Sequence, residues 1–159
     1  NYENMEDIKM GNLSAFMRSE FKQEEIVEIE GFDRFKDENG KPVKFKVKVL
    51  SFNKIQEIRK FHRIEKAAYD KNKNPIIADG KLVKEIIFDN EKAAENIVEA
   101  LVYPNLKDKE LMKFYEVEDI LDMPYRVFTQ AEYTELQKRL AVVLHLATPE
   151  EDNVEEVKN

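Results

Sequence analysis

EIVEIEGFDRFKDENGKPVKFKVKV, residues 25–49, is the stretch that decides the fold class. Within it Val43, Phe45, Val47 and Val49 alternate with Lys44, Lys46 and Lys48. A period of two puts the apolar groups on one face of a strand and the lysines on the other. Upstream, residues 25–36 are rich in β-branched and aromatic side chains, and Asp37-Glu38-Asn39-Gly40-Lys41-Pro42 lies between the two segments. Asn-Gly supplies the positive backbone angles of a tight turn, so the stretch reads as a long antiparallel β-hairpin. The glutamates Glu25, Glu28 and Glu30 are then placed to meet the lysine face across the ladder. Gly31 marks a bend or bulge. A lone hairpin is marginal in water and must pack on helices or recruit another strand.

Outside the hairpin the pattern reads as mainly helical. Leu13, Phe16 and Met17 stand at helical spacing and predict a short N-terminal helix. Ile55, Ile58 and Phe61 or His62 form an apolar stripe over 53–66. Residues 70–84 are turn-rich and predict a surface loop with a short strand at most. Asp89 can cap a helix carrying Ala93, Ala94, Ile97, Val98, Leu101 and Val102, which stops before Pro104. Asp108 starts a short helix, and Ile120-Leu121 belongs to a turn that ends before Pro124. Thr129-Gln130-Ala131-Glu132 is a capping box opening a helix through Tyr133, Leu136 and Leu140 to about Leu146. The expectation is an α+β protein: a short helix, one long hairpin, then a mainly α-helical bundle. Residues 1–11 are expected to be a flexible arm, 12–147 one domain, and 148–159 a disordered acidic tail, since 149–159 hold five acidic residues against one lysine.

Composition narrows the chemistry. Of the 159 residues 42% are hydrophobic, enough for a core, and 37% are charged against ~25% in an average soluble domain. With no cysteine, disulfides, thiolate nucleophiles and Cys-ligated zinc are excluded. A net charge of −7 opposes broad binding to nucleic acid or to an anionic membrane, although Lys44, Lys46 and Lys48 would be the face used if nucleic acid were the partner. No apolar run approaches the ~20 residues of a membrane span. Nor do residues 1–10 resemble a secretory signal, so a cytoplasmic location is expected.

No catalytic or cofactor motif assembles. The four glycines, Gly11, Gly31, Gly40 and Gly80, are scattered and build no phosphate cradle. There is no Gly-x-Ser-x-Gly elbow. His62 and His145 fall on partly apolar helical faces without the neighbouring ligands a metal requires, and are read as ordinary packing or surface residues. Asp70-Lys71-Asn72-Lys73-Asn74 copies the first ligand spacings of a calcium loop, but Pro75 stands where glycine is needed and Lys81 where glutamate is needed. It reads as a polar turn. Glu116, Glu118, Asp119 and Asp122 read as a solvated face.

The apolar outlier is Leu140-Ala141-Val142-Val143-Leu144-His145-Leu146-Ala147, apolar nearly all round a helix. Such a helix is either a central core element or one that offers a side to a partner. On the second reading Leu136, Leu140, Val143, Leu144 and Leu146 are the partner contacts.

The order of these features resembles a known family. Asn12-Leu13-Ser14-Ala15-Phe16, the Phe35–Val43 hairpin, Val102-Tyr103-Pro104-Asn105-Leu106-Lys107-Asp108, Glu110-Leu111 through Tyr115-Glu116-Val117, and Thr129 through Leu136 follow the arrangement of XkdN-like phage tail assembly chaperones. These occur in contractile-tailed phages, PBSX-like prophages and phage-tail-like bacteriocins. The resemblance covers about residues 12–146, with departures in the front arm and in the loop 66–86. It implies a non-enzymatic protein of the host bacterial cytoplasm, absent from the mature particle. Such a protein binds tape measure protein and tail tube subunits during assembly, alone or as a homo-oligomer, without cofactors. The rival reading is a structural tail or baseplate component retained in the particle.

Overall fold

The computed structural model describes residues 13–146. The expected arm over 1–11 and the acidic tail over 148–159 lie outside the described residues. Mixed helices and antiparallel strands make this an α+β fold.

The hairpin forms as its alternation dictates. Strands β1 (Ile26–Ile29) and β2 (Phe45–Lys48) pair antiparallel, with Val27 opposite Val47 and Ile29 opposite Phe45. Phe45 and Val47 are buried while the lysines face outward, meeting Glu28 and Glu30 from Lys44, and Glu24 from Lys48, at 3.5–3.8 Å. These exposed pairs add little stability. Gly31 is where the chain crosses closest: a Cβ there would lie 2.1 Å from the Val43 carbonyl oxygen.

After Ser51 caps α1 (Phe52–Phe61) through its side chain, the chain departs from the helical expectation. Residues 63–88 form a second antiparallel ribbon in place of a helix end and loop. Strands β3 (Arg63–Ala67) and β6 (Lys84–Phe88) pair from Arg63↔Phe88 to Ala67↔Lys84. The tip carries a short hairpin of β4 (Ile77–Ala78) and β5 (Lys81–Leu82), closed by Asp79-Gly80 with both residues at positive φ. Turn chemistry and cross-strand pairing outweighed the weak helical stripe. The ribbon packs chiefly on itself and projects from the body.

Helix α2 (Glu91–Ala100) has Asn90 as N-cap, and Asp89 accepts from the Glu91 amide. The helix ends at Ala100. Leu101–Tyr103, predicted as helix, is strand β7, pairing with the free edge of β2 to give the order β1-β2-β7. β2 gains the third strand the hairpin needed, and Leu101 is buried from the sheet side. Tyr103–Pro104 is cis.

Asp108 caps α3 (Lys109–Phe114), as predicted. A 3-10 turn at Ile120–Asp122 runs directly into α4 (Met123–Val127), so Pro124 opens a helix where it was expected only to end a turn. The Thr129–Glu132 capping box starts α5 (Gln130–Val143). The core gathers Phe45, Val47, Ile97, Leu106, Met123, Leu136 and Leu140 between sheet and helices. Toward the N-terminus, residues 13–15 are helical as predicted, with Leu13, Phe16 and Met17 exposed.

Candidate partner-binding surfaces

Of the five predicted partner contacts, Leu136, Leu140 and Leu144 are at most 5% exposed and belong to the core. The packing therefore takes them out of reach of any partner, and α5 is a core helix along that face. Val143 is half-buried and lines a groove of about 440 Å³ with Ile29, Val142 and Arg139. Leu146 is exposed just past the helix end. The five residues do not form one surface.

Accessible apolar groups gather elsewhere. Between the hairpin loop, β7 and α3 opens a cleft of about 740 Å³ lined by Phe35, Tyr103, Pro104, Leu111, Phe114, Tyr115 and Phe128. Phe114 is 77% exposed and Tyr103 about half. Phe35, Phe45 and Phe128 line it and, with Phe32 behind them, form an aromatic cluster with ring centroids 5.6–6.3 Å apart. Sequence reasoning gave these residues no role in binding. The available signal was α3 itself: Leu111, Met112, Phe114 and Tyr115 spread over about 160° of a six-residue helix, and Phe114 stands at the edge of that arc.

Two arginines bridge the hairpin loop and the last helix beside this cleft. Arg34 grips Glu132 with Nε and Nη2, each 2.8 Å from a carboxylate oxygen, and donates to the Val127 carbonyl at 2.6 Å. Its guanidinium also lies over the Phe35 ring at 4.1 Å. The Arg34 hydrogen bonds hold the Glu132 carboxyl below its usual range, against the opposing effect of burial. Arg139 donates to the Glu30 and Gly31 carbonyls and to Glu135. Both arginines therefore fasten the hairpin loop to α5. Nearby, Tyr133 stacks on Tyr125 at 5.2 Å, and burial pushes its phenol up.

A second set of exposed apolar groups lies on the projecting ribbon: Tyr69, Ile77, Leu82 and Ile86. At its root sits His62, 1% exposed, the residue read as an isolated packing histidine. The structure brings it carboxylates from the far side of the ribbon. Nε2 lies 2.6 Å from Glu95 and Nδ1 2.8 Å from Asp89, with Glu91 close by. Burial alone would lower its pKa, but the Glu95 and Asp89 carboxylates outweigh burial and raise it. Their separation in sequence kept them from being matched to His62.

Among the described residues, no helix is long and apolar enough to cross a membrane. The chain is similar to YqbN of Bacillus subtilis (strain 168), a protein without an assigned function. They are 32% identical over 122 residues, which are 76% of this chain and 74% of that protein. The crystal structure of YqbN matches with a TM-score of 0.60 at 25% identity, covering 82% of this chain and 92% of that one. Residues 13–158 match the phage XkdN-like tail assembly chaperone protein family. On that match, spanning most of the sequence, the chain belongs to the XkdN-like phage tail assembly chaperones.

Proposed function

We propose that the chain is a non-enzymatic chaperone that binds the phage tape measure protein through the aromatic cleft beside α3, keeping it soluble until tail assembly. The observation that supports this reading is the cleft itself, an apolar groove in a surface otherwise crowded with charge. A groove of that kind suits the apolar face of a helix, and tape measure proteins are long and helical. Phe35, Tyr103, Leu111 and Phe114 are the contacts proposed. Val143 and Leu146 remain candidates for a secondary contact at the end of α5. Leu136, Leu140 and Leu144 act only by building the core. Tail tube subunits and a second copy of this chain are further partners on the same reading. The complex would form in the host cytoplasm, and the chaperone would leave before the particle matures.

Co-expression with the tape measure protein of the same gene cluster, followed by pull-down and size-exclusion chromatography, tests this. The expected result is a soluble complex that Phe114→Asp abolishes without lowering Tm, because that side chain is already in solvent. Leu140→Asp serves as the contrast and should unfold the protein. A complex indifferent to Phe114→Asp and Tyr103→Asp would sink the cleft assignment. Absence of any complex, with the chain present in purified tails, would favour a structural component.

A further inference from the structure

His62 and Asp89 are the residues at which the chain enters and leaves the projecting ribbon, joined by a hydrogen bond from the Asp89 amide to the His62 carbonyl at 3.0 Å. The His62 ring between them is buried. Its Nε2 meets Glu95 Oε2 at 2.6 Å, so Nε2 bears the proton and donates it. That leaves Nδ1, a fully buried atom without an aligned hydrogen bond, 2.8 Å from Asp89 Oδ1. A bare nitrogen lone pair and a carboxylate oxygen repel at that distance. A positive charge between or beside them, either a proton on Nδ1 or a metal ion, removes that repulsion.

From these contacts we propose a divalent transition-metal site at the ribbon root, with His62 Nδ1, Asp89 and Glu91 as ligands and Glu95 as the positioning residue. One donor atom from each of the three ligands lies within 4.8 Å of the others. Asp89 Oδ1 also accepts from the Glu91 amide at 3.0 Å, which fixes that carboxylate against the start of α2. A carboxylate on the far ring nitrogen fixes the tautomer and orientation of a ligating histidine, which is the part Glu95 plays here. One imidazole with two carboxylates suits Zn²⁺ or a similar ion, whereas Mg²⁺ and Ca²⁺ take oxygen ligands throughout. Three protein donors leave a coordination position to water. The ion would clamp both chain crossings and fix the direction in which the ribbon leaves the body.

The competitor for Nδ1 is a proton, so the test is run at pH 8 with the full chain, ZnCl2 as probe and MgCl2 as control. Calorimetry should give one equivalent of Zn²⁺. Imidazole NMR should move the His62 signals and leave those of His145 in place, and Mg²⁺ should do neither. Glu91 is exposed, so Glu91→Gln leaves the metal-free Tm unchanged while weakening zinc binding at least tenfold. Glu95→Gln should weaken it ~10–100-fold and redistribute the His62 ring tautomer. Zinc binding equally well to Glu91→Gln, or leaving the His62 signals in place, would overturn the site and leave a protonated histidine held between carboxylates.

Discussion

Asp37 in the first hairpin and Asp70 in the projecting ribbon make the same set of contacts. Each Oδ1 accepts from the amides two and four residues on, at 2.8–3.0 Å. Both backbone amides donate to the carbonyl four residues on, and the residue three on has positive φ: Gly40 at 77°, Lys73 at 64°. Each turn is followed by a proline bridging back across it, Pro42 to Lys36 and Pro75 to Tyr69. Yet the first ribbon drives Phe45 and Val47 into the core, and the second leaves Ile77, Leu82 and Ile86 in solvent. Turn chemistry with cross-strand pairing therefore makes each ribbon, and the alternation of its strands decides whether it joins the body. Val43 to Val49 present one clean apolar face. Arg63–Ala67 and Lys84–Phe88 present none.

The largest test of that contrast is truncation on each ribbon. Phe45→Ala removes a ring from the aromatic cluster and should cost about 3–5 kcal/mol in urea unfolding. Ile86→Ala should change stability by no more than about 0.5 kcal/mol. Similarly, replacing residues 68–83 with Asn-Gly joins Ala67 to Lys84, which already face each other, and should leave Tm within ~2 °C. A large loss on that replacement would mean that the ribbon stabilises the body.

Gly31→Ala comes next, at about 1–3 kcal/mol, because the new methyl meets the backbone carbonyl of Val43, which cannot swing aside. No residue of the projecting ribbon faces an equivalent test, since a Cβ on Gly80 meets nothing within 4 Å. Positive φ at Gly80 still makes a side chain there strained, but only locally.

How much of this was legible in the sequence follows from the same contrast. The first hairpin was readable because Asn39-Gly40 sits between alternating strands. For the second, Lys73 replaces the telltale glycine, and weak alternation on either side concealed Asp79-Gly80, itself a strong hairpin signal. β7 was hidden because helical spacing through Leu101 and Val102 is indistinguishable from the end of α2 until the free edge of β2 is placed. LAVVLHLA carried its apolar character openly, but only packing could choose core over surface for Leu140 and Leu144. The aromatic cleft and the His62 carboxylates join residues far apart in the chain, which no local period records.

The Arg34–Glu132 pair probes what the first hairpin has and the second lacks, a polar fastening to α5. Glu132→Gln keeps a capping-box side chain but loses the charged grip, and should cost about 1 kcal/mol, a modest figure because Arg34 is nearly half exposed. The Glu132 pKa is depressed in the folded state, so its contribution is complete above the unfolded value of about 4.3 and fades as pH falls through the folded one. Tm curves of wild type and variant, apart at pH 6, should converge on acidification toward pH 3. Parallel curves would show that the charge contributes nothing.

The smallest effect separates the two turns themselves. Gly40→Lys places a side chain at positive φ and should cost about 1 kcal/mol, visible in Tm because that hairpin melts with the body. Lys73→Gly relieves the same strain, offset in part by the added freedom of glycine in the unfolded chain. Its gain should be absent from Tm, because a ribbon packed on itself opens locally at less than the global free energy. It should appear in hydrogen exchange, as slower exchange of the Ala68, Ile76 and Val83 amides that tie the tip together. If Lys73→Gly raises Tm as much as Gly40→Lys lowers it, the two ribbons unfold as one unit and the contrast between them is only one of burial.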